Sequence, residues 1–208
     1  MVNSNSNVDY SMVALSPRGY WKSRGRPSEA GIQLDAQATL QWVFSRYDPH
    51  RTRVVLWGQS IGAGVATTAL ATFAGFKSLS SSTSAPMIRG LVLETPFVNL
   101  RSMLFALYPQ KYLPYRYLHP FLRSTWDSKG ALELIANSDT SLQVEVLILQ
   151  AQNDEVVSDG QAEILEKTCR DGGLIVERKR VKGALHNDVT SKGEGKMIIL
   201  DFLKRIYT

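Results

Sequence analysis

Cysteine is almost absent: Cys169 alone stands in 208 residues. An intrachain disulfide framework and a cysteine-rich zinc centre are therefore excluded, and Cys169, at the end of a helical pattern, reads as a half-buried structural thiol. Long apolar runs are missing too, since no stretch approaches the roughly eighteen residues that cross a bilayer. Residues 1–9 are polar and asparagine-rich, without the basic start or cleavage pattern of a leader, and read as a disordered opening. Nor is there a strong block of one charge. The formal net charge is +5, the basic residues are scattered, and the densest run, Arg178-Lys179-Arg180, lies in an apparent strand beside Glu177. With no aromatics interleaved, that run reads as a solvated strand end, and no nucleic-acid partner is expected. What remains is a chain that is 44% hydrophobic and 21% charged, the balance of one globular domain with a sizeable core.

Along that domain, residues 10–16 read as a short strand broken by Pro17-Arg18-Gly19-Tyr20. Ser28 and Glu29, followed by spaced Ile32, Leu34, Ala36, Leu40, Val43 and Phe44, predict an amphipathic helix ending near Tyr47. A turn at Asp48-Pro49-His50 leads to a strand over 53–57, then a helix to about Phe73 and a serine-rich loop without periodicity over 77–86. Residues 88–95 form the next strand, ended by Pro96, and 100–108 a short helix. Residues 109–126, rich in tyrosine, proline and leucine, read as the body of an irregular cap spanning about 97–126. Its composition suits an apolar acyl pocket and suits plain packing equally well. Asp127 or Ser128 caps a helix to Ala136. A strand over 144–149, a helix over 160–168, a strand over 174–181 and a helix over 195–206 complete the chain. Strands alternating with helices predict an α/β fold, a mostly parallel sheet with right-handed crossovers and helices on both faces.

Chemistry concentrates at Gly58-Gln59-Ser60-Ile61-Gly62, between the apolar run Val54-Val55-Leu56-Trp57 and the small residues Ala63-Gly64-Val65-Ala66. Strand, sharp turn and helix with serine at the apex make a nucleophile elbow. Very small residues on either side of the turn let strand and helix approach, and the serine is held strained and presented to solvent. The backbone N–H of Ile61, at the positive end of the following helix, is placed to meet a developing oxyanion.

A nucleophilic serine needs a base and an orienting acid, and in parallel sheets such groups gather past the carboxyl ends of strands. Asp154 follows the strand over 144–149 and precedes a turn, with Glu155 and Asp159 as competing acids. Of three histidines, His50 precedes the strand to Ser60 and so belongs at the opposite end of the sheet, and His119 lies in the cap. His186 follows the last strand. The order Ser60, Asp154, His186 is that of the α/β-hydrolases, with His186 as base and later acid and Asp154 fixing its tautomer. Such chemistry needs no metal or organic cofactor.

These residues resemble one group of α/β-hydrolases in particular, the bud-emergence-related fungal hydrolases and their animal relatives, which include acyl-protein thioesterases. The resemblance rests on Arg18-Gly19-Tyr20 with Lys22-Ser23, Leu34-Asp35-Ala36, the elbow, Leu93-Glu94-Thr95-Pro96-Phe97, Asn153-Asp154-Glu155-Val156-Val157 and His186-Asn187-Asp188. It covers nearly the whole chain after Asp9. It implies a partial α/β-hydrolase domain over 10–208 and a serine hydrolase acting on an ester or thioester, with a small-molecule or lipid-linked acyl substrate. Two departures are local: Trp21 stands where the group usually has glycine, and residues 77–86 look like an insertion.

The larger departure is at the start. The group's N-terminal strands, the His-Gly-rich loop that supplies a second oxyanion donor, and a membrane anchor would all precede Tyr10. Membrane association is accordingly expected only through an anchor this chain lacks, and no compartment can be assigned. In the group's strand order, the missing strand would leave a gap of about 9.6 Å, two strand spacings, beside the strand that leads to Ser60. That gap would cost buried backbone groups their partners. The alternative expectation is therefore a truncated, catalytically impaired protein that serves as a binding module or is a degenerate gene product.

Overall fold

The computed structural model describes residues 8–79, 87–107, 123–138 and 143–207. Ten regular elements follow in the order α1 (Glu29–Arg46), β1 (Arg53–Gln59), α2 (Ile61–Leu79), β2 (Met87–Glu94), α3 (Leu100–Leu107), α4 (Ser128–Ala136), β3 (Glu145–Ala151), α5 (Asp159–Asp171), β4 (Ile175–Val181) and α6 (Gly193–Tyr207). One turn of 3₁₀ helix, Val189–Ser191, precedes α6. All strand pairs are parallel, in the order β1-β2-β3-β4.

The alternating pleat of these strands sorts the core into two layers. Val146 and Ile148 face α2, α4 and α5, where Leu70, Leu132 and Leu165 are buried. Leu147 and Leu149 face the other way, onto Ile199 and Phe202 of α6. Helix α1 packs over α2 through Ala36, Leu40 and Ala69. The helix starts follow local signals. The Ser28 hydroxyl accepts from the N–H of Gly31 at α1, and the Asp127 carboxylate accepts from the N–H of Gly130 at α4.

Several expectations need correction. Residues 10–16 form no strand. A strand needs a ladder partner, and none of the described strands offers this segment one; Tyr10 and Met12 are 62% and 86% exposed. Among the described strands, β1 thus lies at one edge of the sheet. Helix α2 runs to Leu79, past the expected end at Phe73, because each residue added to a formed helix gains a backbone hydrogen bond, and the helix continues in spite of Gly75, a poor helix former. Cys169 is fully rather than half buried, and that burial pushes its thiol up to about 12. The opening residues 1–7, the loop over 80–86 and the cap over 108–122 lie outside the described residues. Among the described residues, no helix is long and apolar enough to cross a membrane.

Because Phe202 carries much of the second layer, Phe202→Ala should lower the unfolding free energy by about 3–5 kcal/mol. Leu134→Ala, on a side chain that is largely exposed, should change it by less than about 0.5 kcal/mol. Urea unfolding followed by circular dichroism measures both.

Candidate active site

Strand β1 ends at Gln59 and α2 begins at Ile61, so Ser60 alone makes the turn. Its φ is 52°, in the left-handed region where a non-glycine residue carries about 1–3 kcal/mol of strain. The turn is fastened on both sides: the Ser60 N–H donates to the Glu94 carbonyl and the Ser60 carbonyl accepts from Ala63, each at 2.9 Å. A Cβ on Gly58 would stand 2.0 Å from the Gly62 carbonyl oxygen and 2.6 Å from the Ala63 nitrogen, a collision with backbone that cannot yield. Gly62 differs from expectation, because a Cβ there meets nothing within 4 Å. The need for a bare backbone falls on Gly58, where strand and helix nearly touch. Ile61 is the first residue of α2, so its N–H has no acceptor within the helix.

Asp154 lies in the turn after β3 and His186 in the loop after β4. The His186 Nδ1 is 3.0 Å from both carboxylate oxygens of Asp154, and the two side chains are 5% and 6% exposed. Asp154 Oδ1 also accepts from the N–H groups of Val156 and Val157, at 2.9 and 2.8 Å. Burial pushes the Asp154 carboxyl upward, but the bonds from His186, Val157 and Val156 outweigh it and hold the group below the usual carboxylate range.

The backbone of the His186 loop is held as closely as the ring. Glu155 accepts from the His186 N–H at 3.0 Å, and the His186 carbonyl accepts from Gln59 Nε2 at 3.2 Å and Thr95 Oγ1 at 3.4 Å. Asn153 donates to the Ala184 carbonyl at 2.9 Å. Of the competing acids, Glu155 thus binds backbone and Asp159 pairs with Arg180 at 2.8 Å, leaving Asp154 on the imidazole. Among the described residues the Ser60 hydroxyl makes no hydrogen bond to His186; elbow and histidine loop are joined one residue earlier, through Gln59. His50 lies exposed in the turn before β1, at the far end of the sheet, and His119 lies outside the described residues.

Three residues near the site received no role from the sequence. Gln59 could have been weighed for its place beside the serine. Glu94 is 2% exposed, and its carboxylate accepts from Trp57 Nε1 at 3.2 Å, from the Thr190 N–H at 3.3 Å and from Thr190 Oγ1 at 3.1 Å. It joins β1, β2 and the chain after His186, and its signal was a charge closing an otherwise apolar strand. Thr95 has a φ of 44°, unusual for a β-branched residue, and the Leu93-Glu94-Thr95-Pro96-Phe97 stretch that holds it was read only as a landmark.

A depressed carboxyl stabilises the fold above its unfolded pKa of about 3.9, and that contribution is lost as pH falls through the lower folded value. Asp154→Asn should therefore cost about 1–3 kcal/mol at pH 7 and progressively less below about pH 4. Urea midpoints of both proteins across that range test this, and a constant difference would contradict it.

No protein-family model matches the chain. It is 29% identical over 199 residues to protein bem46 of Schizosaccharomyces pombe, covering 95% of this chain and 59% of that protein. It is 34% identical over 155 residues to the lysophosphatidylserine lipase ABHD12 of Danio rerio, covering 73% of this chain and 37% of that one. To ABHD12B of Homo sapiens it is 28% identical over 207 residues, 96% of this chain and 54% of the relative. The chain thus spans between about a third and three fifths of these relatives. Among solved structures, an esterase of Pyrococcus furiosus superposes with a TM-score of 0.62 at 20% identity, over 92% of this chain and 68% of that one. A truncated carbohydrate esterase from gut microbiota gives 0.61 at 18% identity, over 86% and 70%. Such distant structures speak for the fold alone. The chain has the α/β-hydrolase fold, and its sequence relatives include bem46 and the ABHD12 proteins.

Proposed function

We propose that the chain is a serine hydrolase that cleaves carboxylic esters or thioesters, lipid-linked acyl groups among them, through Ser60, His186 and Asp154. The observation that carries this reading is the buried pair of Asp154 and His186 Nδ1, at 3.0 Å, reached from two successive strand ends. A carboxylate facing Nδ1 accepts a hydrogen bond from the proton held there and leaves Nε2 as an acceptor, the tautomer a general base requires. Ser60 Oγ would attack the acyl carbon while its proton passes to Nε2, and the oxyanion would form beside the Ile61 N–H. The same proton then goes to the departing alkoxide or thiolate. Water, deprotonated by Nε2, attacks the acyl-enzyme and releases the acid. The relative ABHD12 of Danio rerio is a lysophosphatidylserine lipase, which favours an acyl ester as the substrate.

A fluorophosphonate probe should label the folded chain at Ser60, and Ser60→Ala should abolish labelling with an unchanged thermal melt. Labelling that survives in that variant assigns the nucleophile elsewhere. In hydrolysis of p-nitrophenyl acetate, Ser60→Ala, His186→Ala and the double variant should lose similar amounts of activity, because the three groups act as one unit. Losses that simply multiply would separate their roles.

A further inference from the structure

The loop that precedes α1 carries Arg18, Lys22, Arg24 and Arg26 with no acid between them. It is a built turn. Tyr20 donates from its N–H to the Pro17 carbonyl at 3.1 Å, Ser23 from its N–H to Tyr20 at 2.9 Å and from its hydroxyl to the Ser16 carbonyl at 2.7 Å. Gly19 and Gly25 hold φ of 79° and 102°, and a Cβ on Gly19 would stand 2.5 Å from Pro27. The same turn places Trp21 at φ 47°, a conformation that disfavours any side chain, and leaves it 87% exposed with the Lys22 ammonium 5.1 Å from the ring centroid. Tyr20 beside it is 47% exposed. In water only the Lys22 contact, among the described residues, covers the ring.

Charge on this loop is equally unspent. Arg18 is paired with Asp35 at 2.7 Å, but Lys22, Arg24 and Arg26 have no carboxylate partner among the described residues. The Arg178 to Arg180 run is the opposite case, each member paired, with Glu166, Glu177 and Asp159 respectively. An open groove of about 450 Å³ beside α1 is lined by Arg18, Arg24 and Arg26, with Ser16, Ser23 and the Asp35 that pairs with Arg18. The loop enters α1 at Ser28, and one turn later Ile32 packs on Phe97, Trp126 and Val157, of which Phe97 and Val157 follow β2 and β3. It therefore stands at the end of the sheet that carries Ser60 and Asp154.

We infer that this loop docks the protein on an anionic phospholipid surface, with Trp21 and Tyr20 at headgroup depth and Lys22, Arg24 and Arg26 on the phosphates. Indole and phenol rings settle at that depth, and long cationic side chains keep their charge at the phosphate while their stems stay apolar. A free phosphate in the groove would use the cations and leave Trp21 in water. A membrane uses both. Each basic residue near an anionic surface contributes about fivefold to binding at ordinary salt.

Sedimentation of the 208-residue chain with vesicles of phosphatidylcholine, alone or mixed with phosphatidylserine, tests this without reference to Ser60 chemistry. Binding is expected on the mixed vesicles and should fall on the order of 25-fold in Arg24→Gln/Arg26→Gln. Trp21→Gly, which relieves the left-handed strain, should weaken binding severalfold while its melting temperature holds or rises. Arg51→Gln/Arg53→Gln removes the same charge at the far end of β1 and should bind like the parent. Equal binding to neutral vesicles, an equal loss in the Arg51/Arg53 pair, or undiminished binding by Trp21→Gly would each overturn the inference.

Discussion

The site depends on one close approach, the carbonyl of Gly62 standing where a side chain on Gly58 would be. Because β1 and α2 can draw that near, a single residue, Ser60, must reverse the chain, and it does so at φ 52° with its N–H on the neighbouring strand's Glu94. The strain is local and sits at the position where the proposed nucleophile must be thrown clear of the sheet. The surrounding parallel sheet holds it there, since β1 pairs with β2 along its whole length.

The rest of the site is a set of loops stitched to one another at the same end of the sheet. The loop after β3 orients the imidazole through Asp154 and its backbone through Glu155; the elbow reaches the same backbone through Gln59; and Glu94 ties the chain after His186 to β1 and β2. Each contact is worth little alone, but together they fix the backbone on both sides of His186 before any substrate arrives. Preorganisation of this kind is what the proposed nucleophile would require.

Much of this was legible in the sequence, and the failures are instructive. The elbow, the parallel order and the Asp154 and His186 positions follow from apolar runs, turn residues and chain order, all local properties. Residues 10–16 read as a short strand but found no ladder among the described strands, a fact that side-chain pattern does not encode. The end of α2 was set too early because apolar spacing fades before backbone hydrogen bonding does. Cys169 was placed at a half-buried helix end, whereas α5 lays it against the sheet. Glu94 and Gln59 escaped notice because their partners lie 96 and 127 residues away, and only the fold brings those together. The cationic loop before α1 was hidden for a different reason: in sequence its charges look scattered, and only the fold shows Lys22, Arg24 and Arg26 without a described carboxylate partner in the same turn as an exposed Trp21.

The central claim is that Ser60, served by the Asp154 and His186 pair, takes an acyl group. Rapid mixing of the chain with p-nitrophenyl acetate, followed by acid quench and peptide mass analysis, tests it directly. The account predicts a burst of p-nitrophenol stoichiometric with protein and an acetyl group on Ser60 that decays with turnover. Turnover with no burst and no acyl group at Ser60, in a chain shown to be folded, would contradict it.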